Sequence, residues 1–98
     1  MSAVPQDAIR LSDKDNIAVA IHDIAAGSNI AIGELRLLAR DPIPLGHKIA
    51  LQEIQAGHKI LKFGVPVGSA TANIAAGAHV HMHNVKSDYL NNRGEHWE

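Results

Sequence analysis

Ile43-Pro44-Leu45-Gly46-His47-Lys48-Ile49 is one of four copies of a single short pattern, Ile-x-(Ala/Leu)-Gly-x-x-(Ile/Val). The others are Ile24-Ala25-Ala26-Gly27-Ser28-Asn29-Ile30, Ile54-Gln55-Ala56-Gly57-His58-Lys59-Ile60 and Ile74-Ala75-Ala76-Gly77-Ala78-His79-Val80. Each copy reads as a tight turn between two strands. The leading Ile closes one strand, the Gly supplies a left-handed backbone, and the last Ile or Val enters the next strand. Pro44 suits a type I turn, with the Gly as the bulge residue behind it. The spacing between copies is irregular, so the pattern predicts one compact fold that reuses a corner rather than a solenoid.

Around the corners the apolar runs are short. Ile17-Ala18-Val19-Ala20-Ile21 and Ile30-Ala31-Ile32 are β-branched and read as strands. Ile49 to Ile54 reads as a strand running into the third corner, and Ile60 to Ala70 as two broken strands with Pro66 at an edge or bulge. Glu34 to Ala39 is rich in helix formers, but Gly33 and Asp41-Pro42 limit it to a turn or two of helix. The sum is a mostly-β domain of short strands and repeated tight turns. The pattern divides the chain into an N-terminal extension (1–10), the corner-rich domain (11–85) and a polar tail (86–98), where Tyr89 and Trp97 are candidate interface anchors.

The 98 residues suffice for one domain, and 46% are hydrophobic, yet Phe63, Tyr89 and Trp97 are the only aromatics. The core is therefore aliphatic, and so small a domain gains from a partner surface. A net charge of −1 with dispersed lysines and arginines argues against nucleic acid or an anionic membrane as partner. Cysteine is absent, which excludes disulfides and thiolate metal sites and leaves histidine, carboxylate or substrate oxygens as metal ligands. With no secretory signal and no membrane-length apolar run, the expected location is the cytoplasm.

Reactive chemistry concentrates after the fourth corner, in Gly77-Ala78-His79-Val80-His81-Met82-His83-Asn84. On a continued strand His79, His81 and His83 project from one face. Neighbouring rings are then about 7 Å apart, within reach of one ion, and the outer pair His79 and His83 roughly twice that. The bland alternative is that the rings merely line an interface. His47-Lys48 and His58-Lys59 repeat one dipeptide at successive corners, which is also what exposed corners tolerate.

Asp15-Asn16-Ile17-Ala18-Val19-Ala20, Gly46-His47-Lys48-Ile49-Ala50-Leu51, Lys62-Phe63-Gly64 and the histidine stretch together resemble the small N-terminal domain of altronate and galactarate dehydratases. That domain is of the SAF type, and the resemblance implies a β-clip fold of short strands around sharp corners. In that family it is usually fused to a much larger catalytic region, and it also exists as a separate subunit. The α subunit of sulfolactate sulfo-lyase is of the second kind. The resemblance thus implies a small subunit of a metal-dependent sugar-acid dehydratase, partnered by a large catalytic subunit. A sulfolactate sulfo-lyase α subunit is the alternative within lyases. A free-standing β-clip module that binds carbohydrate or acts as a chaperone is the alternative outside them, and a homo-oligomer is compatible with any of these.

The resemblance further implies a divalent metal, iron(II) (Fe2+), as cofactor. His81 and His83, inside the matching Val-His-x-His-Asn, are the first candidate ligands and His79 the third. His47 and Lys48 are candidate catalytic residues, since the Gly-His-Lys segment lies at or near the family's active site. Lys48 would engage a substrate carboxylate as a point charge. Asn84 is a candidate for orienting a ring or binding a substrate hydroxyl.

Overall fold

The computed structural model describes residues 4–88, so Tyr89 and Trp97, with the rest of the tail beyond Asp88, lie outside the described residues. Nine short strands are found among them: β1 (Ala8–Ile9), β2 (Ile17–Ala20), β3 (Asn29–Ile32), β4 (Leu35–Leu38), β5 (Lys48–Ala50), β6 (Lys59–Lys62), β7 (Val65–Ala70), β8 (His79–Val80) and β9 (Val85–Lys86). They form three antiparallel sheets, ordered β1-β2-β5-β8, β3-β4 and β6-β7-β9. No helix is present among the described residues, hence none long and apolar enough to cross a membrane. The mostly-β reading of the sequence is correct.

The four corners are alike in detail. In each, the residue after the glycine donates its N–H to the carbonyl three positions back: Ser28 to Ala25, His47 to Pro44, His58 to Gln55 and Ala78 to Ala75. The glycine is thus third of four, with φ between 84° and 89° at Gly27, Gly46, Gly57 and Gly77. That is a type II turn, in which a positive φ at the third position favours glycine. The expected type I turn with a bulge is therefore replaced. Pro44 stands first, where the turn uses its carbonyl and not the N–H it lacks.

Each corner is also clamped. Gly27, Gly46, Gly57 and Gly77 donate their N–H groups to Ala39, Ala20, Ala70 and Ala50 at 2.7–2.8 Å. These four alanines are buried and return their own N–H groups to the carbonyls of Ser28, His47, His58 and Ala78. The leading isoleucines pair the corners, Ile24 with Ile43 and Ile54 with Ile74, through reciprocal backbone bonds. Residues 20–49 and 50–80 are two copies of one unit. Each packs its own aliphatic core, one around Ile24, Ile30, Ile43 and Ile49, the other around Ile54, Ile60, Ile74 and Val80. The pairing of β5 with β8, Ile49 opposite His79, joins them.

Three local expectations change. Leu35–Leu38 is a strand rather than a helical turn: it pairs residue for residue with β3 across the two-residue turn Gly33-Glu34. Pairing across a tight turn overrides the helix propensity of the segment. Ile49 to Ile54 is not one strand, since β5 ends at Ala50 and Ile54 makes only its corner bridge. The segment read as a loose extension supplies β1, with Ala8 fully buried and the Asp7 carboxylate accepting from the Ala31 N–H at 2.8 Å. Pro66 does sit beside a bulge, where the β6–β7 register shifts between Ile60 and Leu61.

Asp15, buried to 1% exposure, is a structural anchor. Its two carboxylate oxygens accept from the N–H groups of Phe63 and Gly64, at 3.0 and 2.7 Å. Both residues have positive φ, 59° and 72°, as the two central positions of a type I′ hairpin turn demand. Asn16 continues the hold, accepting from Leu61 N–H and donating to the Lys59 carbonyl. The Asp15-Asn16 pair thereby fixes the β6–β7 hairpin, and Lys62 with it.

Candidate functional site

The position of the second corner decides the site. β5 lies between β2 and β8, with Lys48 opposite Val80 and Ile49 opposite His79. Carrying that antiparallel register one step further sets His47 across from His81. Alternation then puts His47, His79 and His81 on one face. The rings do meet there. His47 and His81 stack with centroids 4.3 Å apart, His47 and His79 at 5.1 Å, and His79 and His81 at 5.3 Å. His47 Nδ1 and His79 Nε2 lie 2.9 Å apart, one ring donating to the other.

The strand does not continue to His83. β8 ends at Val80, and His81 to Asn84 form a turn closed by the Asn84 N–H on the His81 carbonyl at 3.1 Å. Asn84 is buried and staples that turn: its side-chain oxygen accepts from the His81 N–H and its amide donates to the His79 carbonyl. A polar side chain can thus replace strand pairing where the backbone bends. The turn folds His83 back onto His79, with centroids 5.4 Å apart. The separation expected from an extended strand is therefore corrected. Asn84 holds the rings in place through the backbone, and both ends of its amide are engaged.

One nitrogen each from His47, His79 and His81 lies within 4.8 Å of the other two, and no other group of three such donors occurs among the described residues. Tetrahedral coordination with metal–nitrogen bonds of about 2.0–2.1 Å puts ligand nitrogens roughly 3.4 Å apart. The three nitrogens are near enough for one ion, but the rings lie within 10–23° of parallel, so they would have to turn out of the stack for their in-plane lone pairs to converge on it. The electrostatics favour donors rather than cations. Burial, then repulsion from His47, His81 and His83, lowers the His79 pKa against the pull of Asp41, whose carboxylate accepts from the His79 N–H at 2.9 Å. Burial, then His47, Lys48 and His83, lowers that of His81. Neutral imidazoles offer lone pairs, and imidazole suits first-row divalent metals.

Lys48 is half-buried and alternates with His47, so it leaves the ring cluster and enters an adjoining cleft with Lys62. Of the residues singled out in the sequence, His47, His79 and His81 come together, His83 touches the group through His79, and Lys48 stands beside it. His58-Lys59 is remote from them, with the Lys59 ammonium bonded instead to Asp88. Sequence reasoning missed His47 as a member of the ring cluster, and missed Asp41 and Lys62. The corner repeat carries no signal for the first, because its leading isoleucines bridge the first corner to the second and the third to the fourth, and His47 reaches the fourth through the β5–β8 register.

Comparison with known proteins agrees with this architecture. Residues 6–88 match the altronate/galactarate dehydratase SAF domain. The chain is 40% identical to the altronate dehydratase of Escherichia coli (strain K12) over 80 residues, 82% of this chain and 16% of that protein. It is 36% identical to the galactarate dehydratase (L-threo-forming) of the same organism over 72 residues, 71% of this chain and 13% of that protein. Against the (2R)-sulfolactate sulfo-lyase subunit alpha of Paracoccus pantotrophus identity is 39% over 54 residues, 55% of this chain but 81% of that subunit. The chain thus spans about a sixth of the length of the dehydratase it matches. With its corners, strands and histidine turn inside the matched region, the chain belongs to the altronate/galactarate dehydratase SAF domain family.

Proposed function

We propose that this domain is the small component of a metal-dependent sugar-acid dehydratase, working with a larger catalytic region or subunit. The observation that carries the reading is the convergence of His47, from the second corner, on His79 and His81, from the fourth. Three imidazoles would hold a divalent ion only in part, and groups from a partner or from the acid itself would complete it. A divalent metal, iron(II) in this reading, supplies Lewis acidity toward the charge that grows on the carboxylate when the neighbouring proton is removed.

The chain's own residues have distinct parts. His47, His79 and His81 would hold the ion. Lys48 holds the substrate carboxylate, and Asn84 is a positioning residue for the ring-bearing turn. His83 is a further, more exposed imidazole beside His79. Loss of altronate or galactarate turnover in the assembled enzyme on His81→Ala, with assembly intact, is the expected result. Full turnover by the large component alone, unchanged by adding the His81→Ala chain, overturns the reading.

A second reading is favoured by one observation: the chain spans most of a sulfo-lyase subunit named alpha. Elimination there expels sulfite instead of water. Assaying the same assembly for sulfite and for a 2-keto-3-deoxy acid separates the two.

A further inference from the structure

Lys48 and Lys62 enter a cleft of about 360 Å3, whose polar lining is completed by His81 and Ser87 and whose aliphatic wall includes Ile60 and Val80. Its size is at the lower end for small-molecule sites. No carboxylate lines it, and neither lysine belongs to an ion pair among the described residues. Two ammonium groups therefore share a partly apolar recess with no anion from the described chain. Elsewhere the fold does neutralise such a residue: Lys59, one corner over, is met by Asp88 at 2.8 Å.

We propose that this cleft binds a small dianionic acid, with Lys62 as the residue that selects a dianion over a monoanion. One negative group satisfies Lys48 and a second satisfies Lys62, while the aliphatic wall strengthens both attractions by limiting water. His81 lines both the cleft and the ring cluster, so an acid seated here is presented to the imidazoles. The substrate class, though not the cleft itself, rests on the lyase reading. Within that reading the acid carries a second carboxylate, as galactarate does, or a sulfonate, as sulfolactate does. Altronate, with one carboxylate, leaves Lys62 unmatched.

The test is calorimetric titration of the full chain, metal-free and at low ionic strength, with galactarate, sulfolactate and altronate. One of the dianions is expected to bind about tenfold more tightly than altronate, ordinary for one added charge-assisted contact. Which dianion wins distinguishes a dicarboxylate from a sulfo-acid. Lys62→Gln should weaken the dianion about tenfold and leave altronate within about twofold, with Lys62→Arg restoring most of the loss. Lys59→Gln should change nothing. Equal affinity for all three acids, indifference to Lys62→Gln in a chain with unchanged circular dichroism, or no saturable binding overturns the proposal. The readout needs neither metal nor turnover. Dianion binding with an inactive assembly would remove the lyase reading and keep the cleft, and the converse result would do the reverse.

Discussion

Gly46-His47-Lys48-Ile49 and Gly57-His58-Lys59-Ile60 are the same four residues on the same type II turn, yet they meet opposite fates. The first opens β5, an inner strand, so His47 is received by the rings of β8 and the turn after it, and Lys48 by a cleft that no carboxylate of the described residues lines. The second opens β6, at the edge of its sheet, where both side chains are exposed and Lys59 is neutralised by Asp88. Local sequence makes the corner. What the neighbouring strand brings makes the site.

The largest test removes that neighbour. A Cβ at Gly77 would lie 2.0 Å from the Leu38 carbonyl oxygen, with φ at +86°, so Gly77→Ala must displace the fourth corner. A loss above about 4 kcal/mol, or failure to fold, is expected. Gly57→Ala meets the same unfavourable φ with nothing within 4 Å, and should cost only about 1–2 kcal/mol. Urea melts of the two variants measure the gap, and equal losses would mean the fourth corner is not held as closely as the geometry shows.

Next comes the chemistry. In the assembled lyase His47→Ala is expected to lower turnover on the order of 10²-fold, while His58→Ala stays within about twofold. Comparable losses at both corners would show that the dipeptide acts through the turn and not through the ring cluster.

The corners were readable in advance because a conserved-length pattern with glycine at a fixed place has one cheap backbone solution, even though the turn type differed from the one proline suggested. β4 was not readable. Glu34-Leu35-Arg36-Leu37-Leu38-Ala39 prefers helix locally, and only its pairing partner makes it a strand. The site was half legible. Alternation placed His79 and His81 together, but Asn84 bends the chain before His83, and a polar staple leaves no periodicity to read. His47 and Lys62 depend on register between distant segments, which composition and spacing do not encode.

The smallest effect lies in the ion pair that sets the third corner apart. The Lys59 and Ser69 hydrogen bonds hold the Asp88 pKa below its ordinary value of 3.8. A carboxylate whose folded pKa is depressed adds stability that is present above the unfolded value and lost as pH falls through the folded one. Asp88→Asn should therefore lower the urea midpoint slightly near neutrality, and the two curves should converge well below 3.8. The pair is solvent-accessible, so added salt should shrink the difference as well. Lys48→Gln, which removes a charge that meets no carboxylate among the described residues, should show no such convergence in acid. An acid-dependent midpoint for Lys48→Gln matching that of Asp88→Asn would mean that both corners are neutralised alike, and the contrast between them would be lost.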